Sequence, residues 1–359
     1  MEGMAATIRR LHGARPLPPA STKLSALTAF GSNPGALKGW YHVPVSAAAM
    51  PLVVVLHGCT QNAAGYDAGA GWSELGRRYG FAVLLPEQQR ANNPNGCFNW
   101  FIPDDIRRDG GEALSIRQMI GAILARHPID PARIFVTGLS AGGAMASVML
   151  ATYPELFAGG GIIAGLPYGA ATSVTQALQR MRGQGLAGEQ ASADLLRGAS
   201  LHTGRWPTIS VWHGDADMVV DASNADAIIA QWRTLHGVGV SPDRLETVDG
   251  HLRRRWLDAA GRVAIEDYRI AGMGHGTPLK TGGENGCGTA GPHMLETGIS
   301  STWRLAQSWG LVDEAVRQPM AAAEPAHVAP ARPNVPRAAA PSPVQATIER
   351  ALRSAGLMP

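Results

Sequence analysis

The chain has 359 residues, 45% of them hydrophobic, with a formal net charge of +3 and a pI near 8.9. That length allows one large α/β domain with extensions or two small domains, and the apolar content is ample for a core. There is no Lys/Arg stripe interleaved with aromatics, which argues against nucleic acid. No run of about eighteen apolar residues is present either, which argues against a transmembrane helix. Three cysteines do not make a disulfide framework, and no Cys/His spacing resembles a metal site.

Residues 1–22 read as an extension, with Pro16, Pro18 and Pro19 closing it. Residues 1–20 hold Arg9 and Arg10 but no apolar core of a signal peptide, so the expected compartment is the cytoplasm. Residues 23–30 and 37–43 alternate as two edge strands around Gly31-Ser32-Asn33-Pro34-Gly35. The run Leu52-Val53-Val54-Val55-Leu56 is apolar throughout, as in a strand buried on both faces of a parallel sheet. It empties into His57-Gly58-Cys59-Thr60-Gln61. The spacing then predicts an amphipathic helix over 72–79 and a buried strand over 81–86.

Residues 92–101, rich in Asn, Pro and Gly, form a loop carrying Cys97, Asn99 and Trp100. Trp100 is there either as a substrate wall or as part of a local aromatic cluster. Cys59 and Cys97 lie on loops at the same sheet edge; bonded and free thiols both stay open, since a cytoplasmic compartment disfavours a disulfide. A helix over 109–126 ends at His127-Pro128.

The most informative stretch follows. Ile134-Phe135-Val136 reads as a buried strand, Gly138-Leu139-Ser140-Ala141-Gly142 as a tight turn, and the residues to about Thr152 as a helix. Strand, turn and helix in that order are the setting of a nucleophile elbow with Ser140 at its tip. Side chains at Gly138 and Gly142 would collide with the neighbouring strand and helix. The N–H groups opening the helix point toward negative charge developing at the serine. The backbone N–H groups of Ala141 and Cys59 are the candidate oxyanion donors; the His57 imidazole is expected to bind neighbouring loop backbone.

A strand over 156–164 comes next. Residues 168–205, polar and weakly helical, sit where such folds insert a lid, although core packing would equally account for Met181, Leu186, Leu195 and Leu196. Residues 208–212 form a strand leading into His213-Gly214-Asp215-Ala216-Asp217. A catalytic histidine needs an ionised carboxylate to hold its tautomer. Asp217, before the pair Val219-Val220, fits that place better than Asp215, which suits a turn cap.

Strands over 252–256 and 263–270 pair about Asp258-Ala259-Ala260-Gly261, with Arg253, Arg254 and Arg255 on exposed strand. Then His275 stands among Gly272, Gly274 and Gly276, where no core can claim it. It is the expected base, with His293 the fallback. The order Ser140, Asp217, His275 is the serine, acid, histidine order of the α/β-hydrolase plan. A closing helix over 297–310 completes the body, whose range is 23–312. Residues 313–343 read as an Ala/Pro-rich linker and 344–359 as a short amphipathic helix.

Leu56-His57-Gly58-Cys59-Thr60-Gln61, Pro86-Glu87-Gln88, Cys97-Phe98-Asn99-Trp100, Gly138-Leu139-Ser140-Ala141-Gly142-Gly143 and Gly272-Met273-Gly274-His275 together resemble the esterases related to polyhydroxybutyrate depolymerases. The likeness spans roughly residues 37–312. It implies an α/β-hydrolase fold with a mostly parallel central sheet. It further implies carboxylester hydrolysis through Ser140, Asp217 and His275, with no cofactor and no metal. Thr60, Gln61, Asn99, Trp100 and Trp212 are the candidates for substrate contact. Hydroxyalkanoate oligomers or polyesters, or small esters, are the expected substrates, with soluble oligomers and small esters favoured. Feruloyl or acetylxylan esterase activity is the alternative, and a non-catalytic binding module the second. Many members are secreted, which makes secretion the alternative compartment.

Overall fold

The computed structural model describes residues 24–46 and 48–312. The expected extension over 1–22, linker over 313–343 and helix over 344–359 lie outside them. In chain order the strands are β1 (Ser25–Leu27), β2 (Lys38–His42), β3 (Met50–Leu56), β4 (Ala82–Glu87), β5 (Ile129–Leu139) and β6 (Gly159–Ile163). Then follow β7 (Thr208–Gly214), β8 (Arg244–Val248), β9 (His251–Leu257), β10 (Val263–Ile270), β11 (Thr277–Leu279) and β12 (Met294–Glu296). The helices are α1 (Ala63–Ala70), α2 (Trp72–Tyr79), α3 (Pro103–Ile106), α4 (Gly111–Arg126) and α5 (Ala141–Thr152). After them come α6 (Val174–Met181), α7 (Glu189–Gly198), α8 (Ser223–His236) and α9 (Ser301–Ser308).

Ten strands form one sheet in the order β1-β2-β4-β3-β5-β6-β7-β10-β9-β8. Its centre, from β4 to β10, is parallel; β1 and β2 on one side and β9 and β8 on the other are antiparallel. This is the mostly parallel, helix-flanked sheet that the apolar runs predict. In β3 successive side chains enter opposite layers, because a strand alternates faces. Leu52, Val54 and Leu56 join the core under α4, α5 and α8. Val53 and Val55 join the core under α1, α2 and α9, where Tyr66, Trp72, Leu75, Trp303 and Leu305 are buried. With both faces covered, a continuous apolar run is the stable choice.

Several elements differ from expectation. The sixth strand starts at Gly159 because Pro154–Leu156 forms a 3-10 turn. Helix α1 is unannounced: two glycines dilute its pattern, and it is started by Asn62, whose side chain accepts from Gly65 N at 2.8 Å. The polar edge strand β8 and the small parallel pair β11–β12 were also not anticipated. Within 168–205, α7 lies against α8 with Ala193 and Leu196 fully buried. Gln231 ties it down by donating to the carbonyls of Ser192 and Tyr168. Helix α6 instead brings Ala177 and Met181 to a cluster containing Trp100, Ala141 and Ala144. Of the arginines of β9, Arg253 and Arg255 pair with Glu246, and Arg254 with Asp267 and Asp226. Among the described residues no helix is long and apolar enough to cross a membrane.

Candidate active site

Strand β5 delivers Ser140 at its C-terminal end, and α5 begins at the next residue. The serine backbone sits at φ 58° and ψ −117°, a region that side-chain-bearing residues avoid and that costs on the order of 1–3 kcal/mol. Two bonds hold it there: Ser140 N donates to Ile163 O at 2.9 Å, and Ala144 N donates to Ser140 O at 2.8 Å. Such a sharp reversal leaves no room beside it. A Cβ on Gly138 would stand 2.3 Å from Gly142 O, and one on Gly142 only 2.2 Å from Leu56 O. All twelve residues of α5 are buried, so the helix aiming its N-terminus at the serine is fixed by the core.

The loops after β7 and β10 leave the same C-terminal edge of the parallel strands. On the first, Asp217 Oδ1 accepts from Val219 N at 2.8 Å and Val220 N at 2.9 Å. Its Oδ2 accepts from His275 Nδ1 at 2.7 Å. Buried His213 braces this loop by donating from Nε2 to Val220 O at 2.8 Å, and the same nitrogen lies 3.5 Å from Asp217 Oδ2. Burial works to raise the Asp217 carboxyl. The His275 hydrogen bond and charge and the two N–H donors outweigh it and hold the carboxyl below its ordinary value. A carboxylate fixed on Nδ1 leaves Nε2 of His275 as the basic nitrogen. Asp215 does a different job: its Oδ1 accepts from Gly272 N at 2.6 Å, which pins the histidine loop to the aspartate loop. His293 also serves that loop, donating from Nδ1 to His275 O at 3.1 Å.

At the end of β3, His57 Nδ1 donates to Gly58 O at 2.8 Å, while Nε2 accepts from Gln88 N at 3.1 Å. The imidazole therefore binds backbone on both sides, and burial lowers its pKa, keeping it neutral. The N–H groups of Cys59 and Ala141 meet no acceptor among the described residues. Cys59 and Cys97 are joined by a disulfide. That bond staples the loop after β3 to the loop bearing Trp100, and Thr60 N adds a bond to Asn95 O at 2.8 Å.

The five residues considered for substrate contact separate into different roles. Trp212 is a correction: it is fully buried in β7, stacked on Tyr268 at 3.7 Å, with its Nε1 donating to Ser210 Oγ. Strand β7 is central, so both its faces are core, and a tryptophan there packs instead of lining a cleft. Gln61 is turned inward, its Oε1 accepting from Gly58 N at 2.8 Å. Asn99 Oδ1 accepts from Asn93 Nδ2 and its N–H donates to Glu112, so its polar groups serve the loop itself. Thr60 stays partly exposed on the disulfide loop. Trp100 is 6% exposed and packs edge-on against Phe101, in one apolar cluster with Ala141, Leu166 and Val220.

Two buried participants carried no sequence signal: His213 behind Asp217, and Glu112 at the start of α4. Glu112 Oε2 accepts from Asn99 N at 2.9 Å and Oε1 from Gln88 Nε2. Burial pushes its carboxyl up to about 8 despite those bonds. Among the described residues no group of three or more His, Cys, Asp and Glu is arranged to hold a metal ion.

Known proteins are similar to this chain in sequence and in fold. A family model described as Esterase PHB depolymerase matches residues 39–244, more than half of the chain. Poly(3-hydroxyalkanoate) depolymerase C of Paucimonas lemoignei is 47% identical over 292 residues, covering 80% of this chain and 70% of that protein. Feruloyl esterase B of Talaromyces funiculosus is 28% identical over 268 residues, 72% of this chain and 74% of its own. The solved acetyl xylan esterase from Aspergillus awamori superposes with a TM-score of 0.68 at 24% identity, over 81% of this chain and 100% of that one. That superposition shows the fold to be the α/β-hydrolase one. The chain is a carboxylic ester hydrolase and belongs to the esterase PHB depolymerase family.

Proposed function

We propose that the protein cleaves the ester bonds of hydroxyalkanoate oligomers or polyesters through an acyl-enzyme on Ser140. The observation that carries this is the 2.7 Å bond from His275 Nδ1 to Asp217, on the same sheet edge as a serine held at positive φ. His275 Nε2 takes the Ser140 proton as the hydroxyl attacks the ester carbonyl. Negative charge developing on the carbonyl oxygen is met by the N–H groups of Cys59 and Ala141. The alcohol leaves with the proton from His275. Water, activated by the same histidine, then releases the hydroxy acid and restores Ser140. Asp217 stays ionised throughout and stabilises the imidazolium form.

The substrate class is taken from the 47% identical relative, whose name is that of a poly(3-hydroxyalkanoate) depolymerase. Partly exposed Phe101, Met181 and Val219, packed on the buried cluster of Trp100, Leu166 and Val220 around Ala141, offer an apolar surface for aliphatic chains. The Cys59–Cys97 disulfide supports an oxidising compartment, the alternative to the cytoplasm expected from residues 1–20. Residues 23–312 would form the catalytic body.

Hydrolysis of a matched panel tests this reading: hydroxybutyrate oligomers, p-nitrophenyl esters of rising length and methyl ferulate, with Ser140→Ala as control. Selective, Ser140-dependent cleavage of the oligomers supports it. Preference for methyl ferulate would transfer the substrate class to aromatic esters, and cleavage that survives Ser140→Ala would overturn the mechanism.

A further inference from the structure

We propose that Glu112 is a positioning residue for the oxyanion peptide, acting through Gln88 and His57 on the Cys59 N–H. The idea rests on the roles proposed for Ser140 and for the Cys59 N–H, and goes beyond them by naming what aims that donor. Glu112 is fully buried in the first turn of α4 and forms no ion pair among the described residues. A carboxyl in that position is costly unless both oxygens are engaged. Both are, and each contact leads toward the site.

Oε1 accepts from Gln88 Nε2, whose amide also donates to Cys97 O at 3.1 Å. The backbone N–H of the same Gln88 donates to His57 Nε2 at 3.1 Å. That donor leaves His57 protonated on Nδ1, which donates to Gly58 O at 2.8 Å. Gly58 C=O and Cys59 N–H belong to one peptide unit, and in a trans peptide they point in opposite directions. Drawing the carbonyl toward His57 therefore turns the Cys59 N–H away from it, free to meet a substrate oxygen. A second route runs through Oε2, which accepts from Asn99 N at 2.9 Å and so anchors the loop containing Cys97. Cys97 is bonded to Cys59 itself. These two attachments of the Cys59 loop lead to this one carboxyl, beside the bond from Thr60 N to Asn95 O.

Glu112→Gln in the full-length chain tests the proposal. In assays above about pH 8, where the carboxyl is ionised, the amide keeps the shape but offers one acceptor group instead of two, setting its NH2 against a donor of Gln88 or Asn99. The measurements are kcat and KM on p-nitrophenyl butyrate, affinity for butylboronic acid, and far-UV circular dichroism with thermal melting. Butylboronic acid forms a tetrahedral adduct on a reactive serine, so it reports on the oxyanion donors directly. The expected result is a fall in kcat of roughly ten- to a hundredfold with KM within about twofold, below the loss from deleting a donor outright. Boronate affinity should fall by the same factor as kcat/KM.

Unchanged kcat and boronate affinity per folded molecule would overturn the proposal, as would a loss carried only by KM or by the melting temperature. Should Glu112→Gln not fold, Gln88→Met removes the bridging amide while keeping the backbone donor to His57. It is expected to show the same kcat-specific fall, and full kcat in it overturns the idea. Labelling of Ser140 in the unmodified protein by a fluorophosphonate checks the underlying mechanism separately: if no label enters, that mechanism fails, whatever the variants do.

Discussion

At the scale of single residues, the two aspartates after β7 show how position decides chemistry. Asp217 has His275 on one oxygen and two backbone N–H groups on the other, whereas Asp215 holds only Gly272. Asp217→Asn should lower kcat by about 10⁴ because an amide can hold the imidazole in the wrong tautomer. Asp215→Asn should cost much less, and steady-state kinetics on one ester would separate them. The pH dependence of stability follows from the same contacts. Asp217 lies below its ordinary value, so its contribution is present above that value and disappears as pH falls through the folded one. Glu112 behaves oppositely. Raised to about 8, it favours the fold most at low pH, and that contribution is lost as pH climbs through about 8. Melting temperature should therefore decline as pH rises from the ordinary carboxylate range to about 8 and level off above it, and the decline should flatten in Glu112→Gln; equal slopes in both proteins would contradict the assignment.

Among the elements, the strand–turn–helix around Ser140 was legible because its constraints are local. A buried apolar strand, glycines where the turn closes on Leu56 O, and a helix with no exposed face are all written in consecutive residues. Gly142→Ala puts a methyl where a carbonyl oxygen stands, and should destabilise the fold by about 2 kcal/mol or more, measurable by chemical denaturation. Helix α1 was not legible, since its start depends on one Asn62 cap and its burial on packing beneath β11 and β12. The disulfide lay between these cases: two cysteines on loops at one edge are compatible with a bond, but the distance between loops is a tertiary quantity. Closing residues 59 to 97, 38 apart, should stabilise by about 4 kcal/mol in the chain-entropy picture. Cys97→Ser should lower the melting temperature and loosen the Cys59 donor, reducing kcat more than it raises KM.

For the molecule as a whole, the sheet order brings distant segments together. Strands β3, β5, β7 and β10 lie within one parallel block, so the residues that follow them emerge on one edge. The same block explains why Trp212 was misread: a strand flanked on both sides and covered on both faces has no cleft-facing side. Trp212→Ala should cost roughly 3–5 kcal/mol of stability. KM in the remaining folded protein should stay unchanged, and a large KM effect without a stability loss would restore Trp212 to the substrate site.

What the sequence by itself determined is what is local or ordered along the chain: the strand–turn–helix at Ser140, the chain order of Ser140, Asp217 and His275, and the buried character of the central strands. Only the tertiary structure decided that the Asp217 carboxylate reaches His275, that Cys59 and Cys97 are bonded, that Trp212 belongs to the core, and that Glu112 is tied through Gln88 and Asn99 to the loop of Cys97. The physical reason is range. Backbone strain and hydrophobic periodicity act over a few residues, whereas a hydrogen bond between residues 58 positions apart exists only once the sheet has aligned their strands.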